Sequence, residues 1–249
     1  MNEYLLRSQL KVFEEEFKNF MSITAFPQYE LRTKSASVKV ADTQGYESVA
    51  TTQYQPQNGI HSLLVSKNIK LTKELVFHEF THILDSEMYT KNDRVRYLGL
   101  SGFTEYHASQ VELAQLLGGS SIDSISSFSM NTIITTISGK KSVYQYVEEK
   151  HQLAAALFNR DDFPMSLEVL KSAIGVMYNY WGLRSICEMY ATDYVEITDN
   201  VAFLKFIPTH HFTMLNNLMH GWLDEDAINL SINIYIEIIF PIIKEYKLA

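Results

Sequence analysis

Five consecutive residues, His78-Glu79-Phe80-Thr81-His82, read H-E-x-x-H. The surrounding segment has helical periodicity, and residues four apart lie one turn apart on the same helix face. Two imidazoles at that spacing can share one Zn²⁺ at about 2.0–2.1 Å each. Glu79 flanks His78 and can reach a water on that metal without being a ligand. Zinc lowers the pKa of such a water to near 7, and a carboxylate can take its proton as the water attacks a carbonyl. The motif is flanked by apolar Val76, Phe77, Ile83 and Leu84.

A catalytic zinc usually keeps three protein ligands and one open position. A third histidine six residues after His82 would complete one extended motif, but that position is Met88, and Asp85 replaces the expected glycine. A glutamate on a following helix is the alternative. Glu105 lies 23 residues beyond His82, which leaves room for a turn and an antiparallel return. The competitors are His107, Glu112, Asp85 and Glu87. On a helix His107 sits about 200° round from Glu105, so both cannot face one metal. Glu105 shares its face with Ala108, Ser109 and Glu112, two of them small enough for close packing against the motif helix.

The elements that must position these residues follow from pattern. The chain has 249 residues, 46% of them apolar, enough for a sizeable core. Leu6, Leu10, Phe13, Phe17 and Phe20 fall at helical spacing near the N-terminus, where charges interrupt any secretory signal. Residues 35–42 alternate as a strand; 46–54 and 60–66 predict a hairpin around Pro56-Gln57-Asn58-Gly59. Periodicity then predicts the motif helix over 70–89, with Thr72 as N-cap, and a second helix over 102–117 ended by Gly118-Gly119. Residues 120–129 contain six serines, and 131–138 are rich in Thr and Ile, so 120–141 reads as a linker or a loop covering a site. Helices are expected over 142–159, 164–180 (Pro164 in the first position) and 223–246. The expected organisation is α+β, with an N-terminal half over 1–119 and a mainly helical half over 142–249.

Composition narrows the function classes. A formal charge of −8 argues against direct nucleic-acid binding. The single cysteine, Cys187, allows no internal disulfide and no Cys-based zinc knuckle, so His and carboxylates must hold any metal. The apolar run 232–243 contains Glu237 and Pro241 and falls short of the roughly 20 residues that cross a bilayer. A soluble, cytoplasmic protein without a membrane partner is expected. No phosphate loop, dinucleotide fingerprint or deaminase motif occurs.

HEFTH followed by Glu105-Tyr106-His107-Ala108 resembles the gluzincin zinc peptidases, and within them the ImmA/IrrE type, over roughly residues 60–117. The resemblance implies a zincin-like N-terminal half, one Zn²⁺ per chain held by His78, His82 and Glu105, and Glu79 as general base. It also implies a protein or peptide substrate, since that group often cleaves or inactivates transcriptional repressors. The usual glycine within the motif is absent (Phe80, Thr81), and no helix-turn-helix is found. The alternative is therefore a zinc-binding regulatory protein that hydrolyses nothing.

Zinc peptidases usually place a hydrogen-bond donor near the oxyanion. Tyr106, Tyr178, Tyr190, His210, His211 and His220 are candidates. Asp85, Ser109 and Glu112 are candidates for acceptors behind the metal-binding rings. Strand 60–66, just before the motif helix, stands where an extended peptide could pair by strand addition.

Overall fold

The structure, a computed structural model, describes residues 3–34, 38–39, 47–48, 50–67, 71–161, 163–164 and 166–248. Within these residues the protein is mixed α+β, with small sheets and eight helices. Helix α1 (Glu3–Met21) buries Leu6, Leu10, Phe17 and Phe20 and leaves the Glu3–Arg7 ion pair on its open face. It is followed by β1 (Tyr29–Lys34), which the sequence pattern did not single out. Of the strand expected over 35–42 only β2 (Val38–Lys39) is described; it pairs with β3 (Glu47–Ser48).

The expected hairpin forms. Strands β4 (Ala50–Gln55) and β5 (Ile60–Ser66) run antiparallel, Ala50 opposite Val65 and Gln55 opposite Ile60, around a turn in which Gly59 has φ +67°. Strand β1 adds in parallel to the other side of β5, giving the order β1-β5-β4. This corrects the expected role of 60–66. That strand is central, with no free edge, which explains its nearly unbroken burial. The outer strands of this sheet are β1 and β4.

Helix α2 (Lys73–Tyr89) begins after Thr72, which occupies the N-cap in an extended conformation but makes no side-chain cap hydrogen bond. Lys91 and Asn92, both with positive φ, help reverse the chain into α3 (Arg94–Leu116), capped by Asp93 accepting from the Arg96 amide. Helix α3 starts eight residues before the expected boundary. Gly99 and Gly102 weaken its local helical signal, but tertiary packing needs them. A Cβ on Gly102 would sit 2.6 Å from the Tyr178 ring, and one on Gly99 would sit 2.7 Å from Ile232.

Segment 120–141 is packed against the rest. It contributes Ile125, Phe128, Met130 and Ile134 to the core and contains β6 (Ile133–Thr136), which pairs with β7 (Gly139–Ser142). Helix α4 (Val143–Phe158) starts in a capping box built by Ser142 and Gln145. Helix α5 (Leu167–Tyr190) is capped by Ser166, so Pro164 precedes the helix instead of opening it. It is buried almost all round and crosses α3 so closely that a Cβ on Gly182 would fall 2.1 Å from the Tyr106 carbonyl oxygen.

Two short helices, α6 (Val201–Leu204) and α7 (Thr209–Leu218), precede α8 (Glu225–Tyr246). Taken whole, α8 is long and apolar enough to cross a membrane by length and composition, although the run 232–243 is too short. In the fold its Ile228, Ile232, Tyr235 and Ile239 side is buried. One hydrophobic cluster runs through the sheet, the α2–α3 hairpin and the later helices.

Candidate metal centre

Helix geometry sets the first two groups. His78 and His82 stand one turn apart on α2, their ring centroids 4.8 Å apart and nearly perpendicular. The antiparallel return of α3 brings Glu105 against both. Its Oε2 lies 3.6 Å from His78 Nε2 and 3.7 Å from His82 Nε2. One ligand atom from each residue lies within 4.8 Å of the other two. Zinc bonds of about 2.0–2.2 Å at tetrahedral angles place ligand atoms about 3.3–3.5 Å apart, close to the two separations from Glu105, so the donor set is of the kind that could hold a zinc ion.

The far side of each ring is anchored. His78 Nδ1 lies 2.9 Å from Glu112 Oε2, and the other Glu112 oxygen accepts from the Tyr146 hydroxyl. His82 Nδ1 lies 2.8 Å from Thr104 Oγ1. A neutral ring that donates through Nδ1–H presents its Nε2 lone pair, and both Nε2 atoms face Glu105. Behind Glu105 stands α5. A Cβ on Gly175 would touch its Cγ at 3.5 Å, and Asn179 hydrogen-bonds its carboxylate.

The electrostatics favour a positive charge at the point where these atoms converge. Burial opposes a charge on His78, but hydrogen bonds to Glu105 and Glu112 and their charges outweigh it, pushing the pKa up to about 10. Burial dominates at His82, with the His78 charge adding to it against attraction by Glu105, and its pKa falls to about 4. Burial would raise Glu105, but His82 and His78 hold it down at about 2. The proton that His78 keeps occupies the place a metal cation would take, so metal binding and protonation compete. Glu79 is 7% exposed, its Oε2 has no partner among the described residues, and Thr52 hydrogen-bonds its carboxylate. Burial, partly offset by the charge on His78, pushes its pKa up to about 7.

These groups open into a cleft of about 930 Å³. One wall is the β4 edge from Ala50 to Tyr54; the other is formed by α4 and α5, with Tyr146, Lys171, Gly175 and Asn179 among its residues. Thr136, Ile137 and Ser138 lie at its rim, so part of the segment expected as linker or covering loop lines the cleft.

The other candidates separate cleanly. His107 turns away and pairs with Asp85 at 2.9 Å, while Glu87 pairs with His61 at 2.9 Å. Glu112 supports His78, and Ser109 donates to Asn179. Tyr106, Tyr178, Tyr190, His210, His211 and His220 are all outside the cleft lining. Tyr106, for example, donates to the Gly221 carbonyl. Thr104, Tyr146 and Asn179 were not singled out from sequence. Thr104 had one available signal, its place beside Glu105; the others had none.

No protein-family model matches the chain, and neither a curated relative nor a solved structure does.

Proposed function

We propose that the protein is a zinc-dependent metallopeptidase, gluzincin-like in its ligand set and zincin-like in its N-terminal half. The observation that carries this reading is the convergence of His78 Nε2, His82 Nε2 and Glu105 Oε2, each held from behind by a second polar group. A zinc ion held there supplies a Lewis acid that polarises a carbonyl and lowers the pKa of water to near 7.

The chain's own residues supply the rest. Glu79, beside the ligands and poised near neutrality, accepts the proton of the attacking water and returns it to the departing amine. The outer edge of β4 lines the cleft around Thr52, where an extended peptide could add as a strand opposite the α4–α5 wall, up to Tyr54, whose amide already donates to the Tyr97 hydroxyl. The cleft's volume lies at the upper end of the roughly 300–1,000 Å³ range of ligand pockets, room for several peptide residues. A regulatory protein, such as a repressor, is the proposed class of substrate.

The test is metal analysis beside peptide hydrolysis. Glu79→Gln should keep about one zinc per chain while kcat falls about 10²–10⁴-fold. His78→Ala should lose the metal. A purified protein that takes up no stoichiometric zinc would overturn the reading. Zinc uptake with no hydrolysis, and no effect of Glu79→Gln, would favour the regulatory alternative.

A further inference from the structure

Along one face of α5, residues 171, 175 and 179 stand a turn apart, and all three line the cleft. Gly175 lies against Glu105 and Asn179 hydrogen-bonds it, so Lys171 sits one turn further towards the start of α5 on that same stripe. Lys171 is half-buried, and it feels the charges of Glu105 and Glu168. No carboxylate among the described residues forms an ion pair with it. Glu105 is already engaged by His78, His82 and Asn179. Lys141, at the rim of the cleft, provides the contrast, because its ammonium is paired with Glu149.

A partly desolvated ammonium without a contacting anion is costly to bury, and a carboxylate arriving with a ligand recovers that cost. Burial lowers the Lys171 pKa in agreement with this, despite the two nearby carboxylates. We propose that Lys171 is a specificity-determining residue that binds a carboxylate of the peptide lying in the cleft. The inference rests on the metallopeptidase reading, because it assigns the substrate of that same site. The carboxylate has two possible sources, an acidic side chain or the free C-terminus of the peptide.

The experiment compares kcat/KM of the zinc-loaded protein and its Lys171→Ala, Lys171→Glu and Lys171→Arg variants on matched peptides. One arm exchanges Glu for Gln or Lys at each position in turn. The other exchanges a free C-terminus for an amide. Wild type should favour the carboxylate-bearing peptide in one arm by about 10–100-fold, the range of a charge-assisted hydrogen bond. The arm showing the preference identifies the source.

Lys171→Ala should bring that ratio close to one, and Lys171→Arg should keep most of it. Lys171→Glu should weaken the carboxylate-bearing peptide further and, in the side-chain arm, turn the preference towards Lys. Zinc content of about one per chain shows that the variants remain folded, and a purely structural role would move both peptides of a pair equally. An active wild type whose ratios are unchanged in Lys171→Ala and Lys171→Glu overturns this inference alone. A zinc-loaded wild type inert on every peptide overturns the metallopeptidase reading itself, before any Lys171 variant is made.

Discussion

Arg184 and His78 are both ionisable side chains set into the helical part of the molecule, and their hydrogen bonds are distributed in opposite ways. The Arg184 guanidinium is fully buried. It donates to Asn216 Oδ1 at 2.6 Å, to the Asn216 and Met219 carbonyls at 3.0 Å each, and to Glu196 at 3.3 Å. Both terminal nitrogens are thus engaged by the chain, which ties 196–219 down onto α5. His78 is held at Nδ1 by Glu112 at 2.9 Å, whereas its Nε2 meets Glu105 only at 3.6 Å. Its Nε2 points to Glu105, and so does that of His82. The difference separates a structural cluster, whose charge is consumed internally, from a group that could hold a metal ion, whose donor atoms converge on a common point.

Substitutions can break this contrast. The largest stability effect is expected at Arg184. Lys has no planar fork and Ala has no charge, so Arg184→Ala should cost about 3–5 kcal/mol in denaturant unfolding, as when one partner of a buried charged network is removed. Zinc affinity should stay close to that of wild type. A loss of zinc binding at full stability would show that the cluster is not merely structural.

Next comes the support behind His78. Glu112→Gln keeps the shape but weakens the acceptor facing Nδ1, and should reduce zinc affinity about 10–100-fold in a competitive chelator titration. Tyr146→Phe, one step further out, should act in the same direction with less than about tenfold effect. If Glu112→Gln left zinc affinity untouched, the anchored ring would not be the means by which the donors are presented.

The smallest effect concerns a third buried ring. His151 packs edge-to-face against Tyr180 and Phe203, and burial lowers its pKa, opposed by a hydrogen bond to the Asp199 backbone and by nearby carboxylates. The unfolded chain then binds this proton more readily than the folded one. Stability should be complete above about pH 6.5 and decline as pH falls from there towards the lower folded-state pKa. His151→Phe should flatten that part of the pH–stability curve, measured by thermal unfolding between pH 7 and 5. An unchanged slope would remove His151 as its source.

Legibility from sequence followed the range of the interaction. The α2 motif, the β4–β5 turn and the start of α4 were readable because each depends on neighbours a few residues away. Strand β1 was missed because its residues are half-exposed or exposed and carry little apolar pattern, and it is fixed as a strand by pairing with β5, about 30 residues later. The start of α3 was missed because Gly99 and Gly102 look like helix breakers until α8 and α5 are laid against them. Strand 60–66 was expected at a free edge, and β1 takes that edge away. The oxyanion candidates failed as a group, since Tyr and His on later helices can face a site or a core with equal local pattern.

What the sequence determined by itself is the pair His78 and His82 with Glu79 between them, because an i, i+4 spacing on a helix leaves no freedom in which face they share. It also restricted any metal to His and carboxylate donors, through the single cysteine. Tertiary structure decided that Glu105, already a candidate from sequence, meets both histidines while His107 pairs with Asp85, that Thr104 and Glu112 hold the rings, and that the Gly175–Asn179 face of α5 stands behind Glu105. Those choices depend on how α2, α3 and α5 pack, and close packing between distant segments is set by the whole core and not by local spacing.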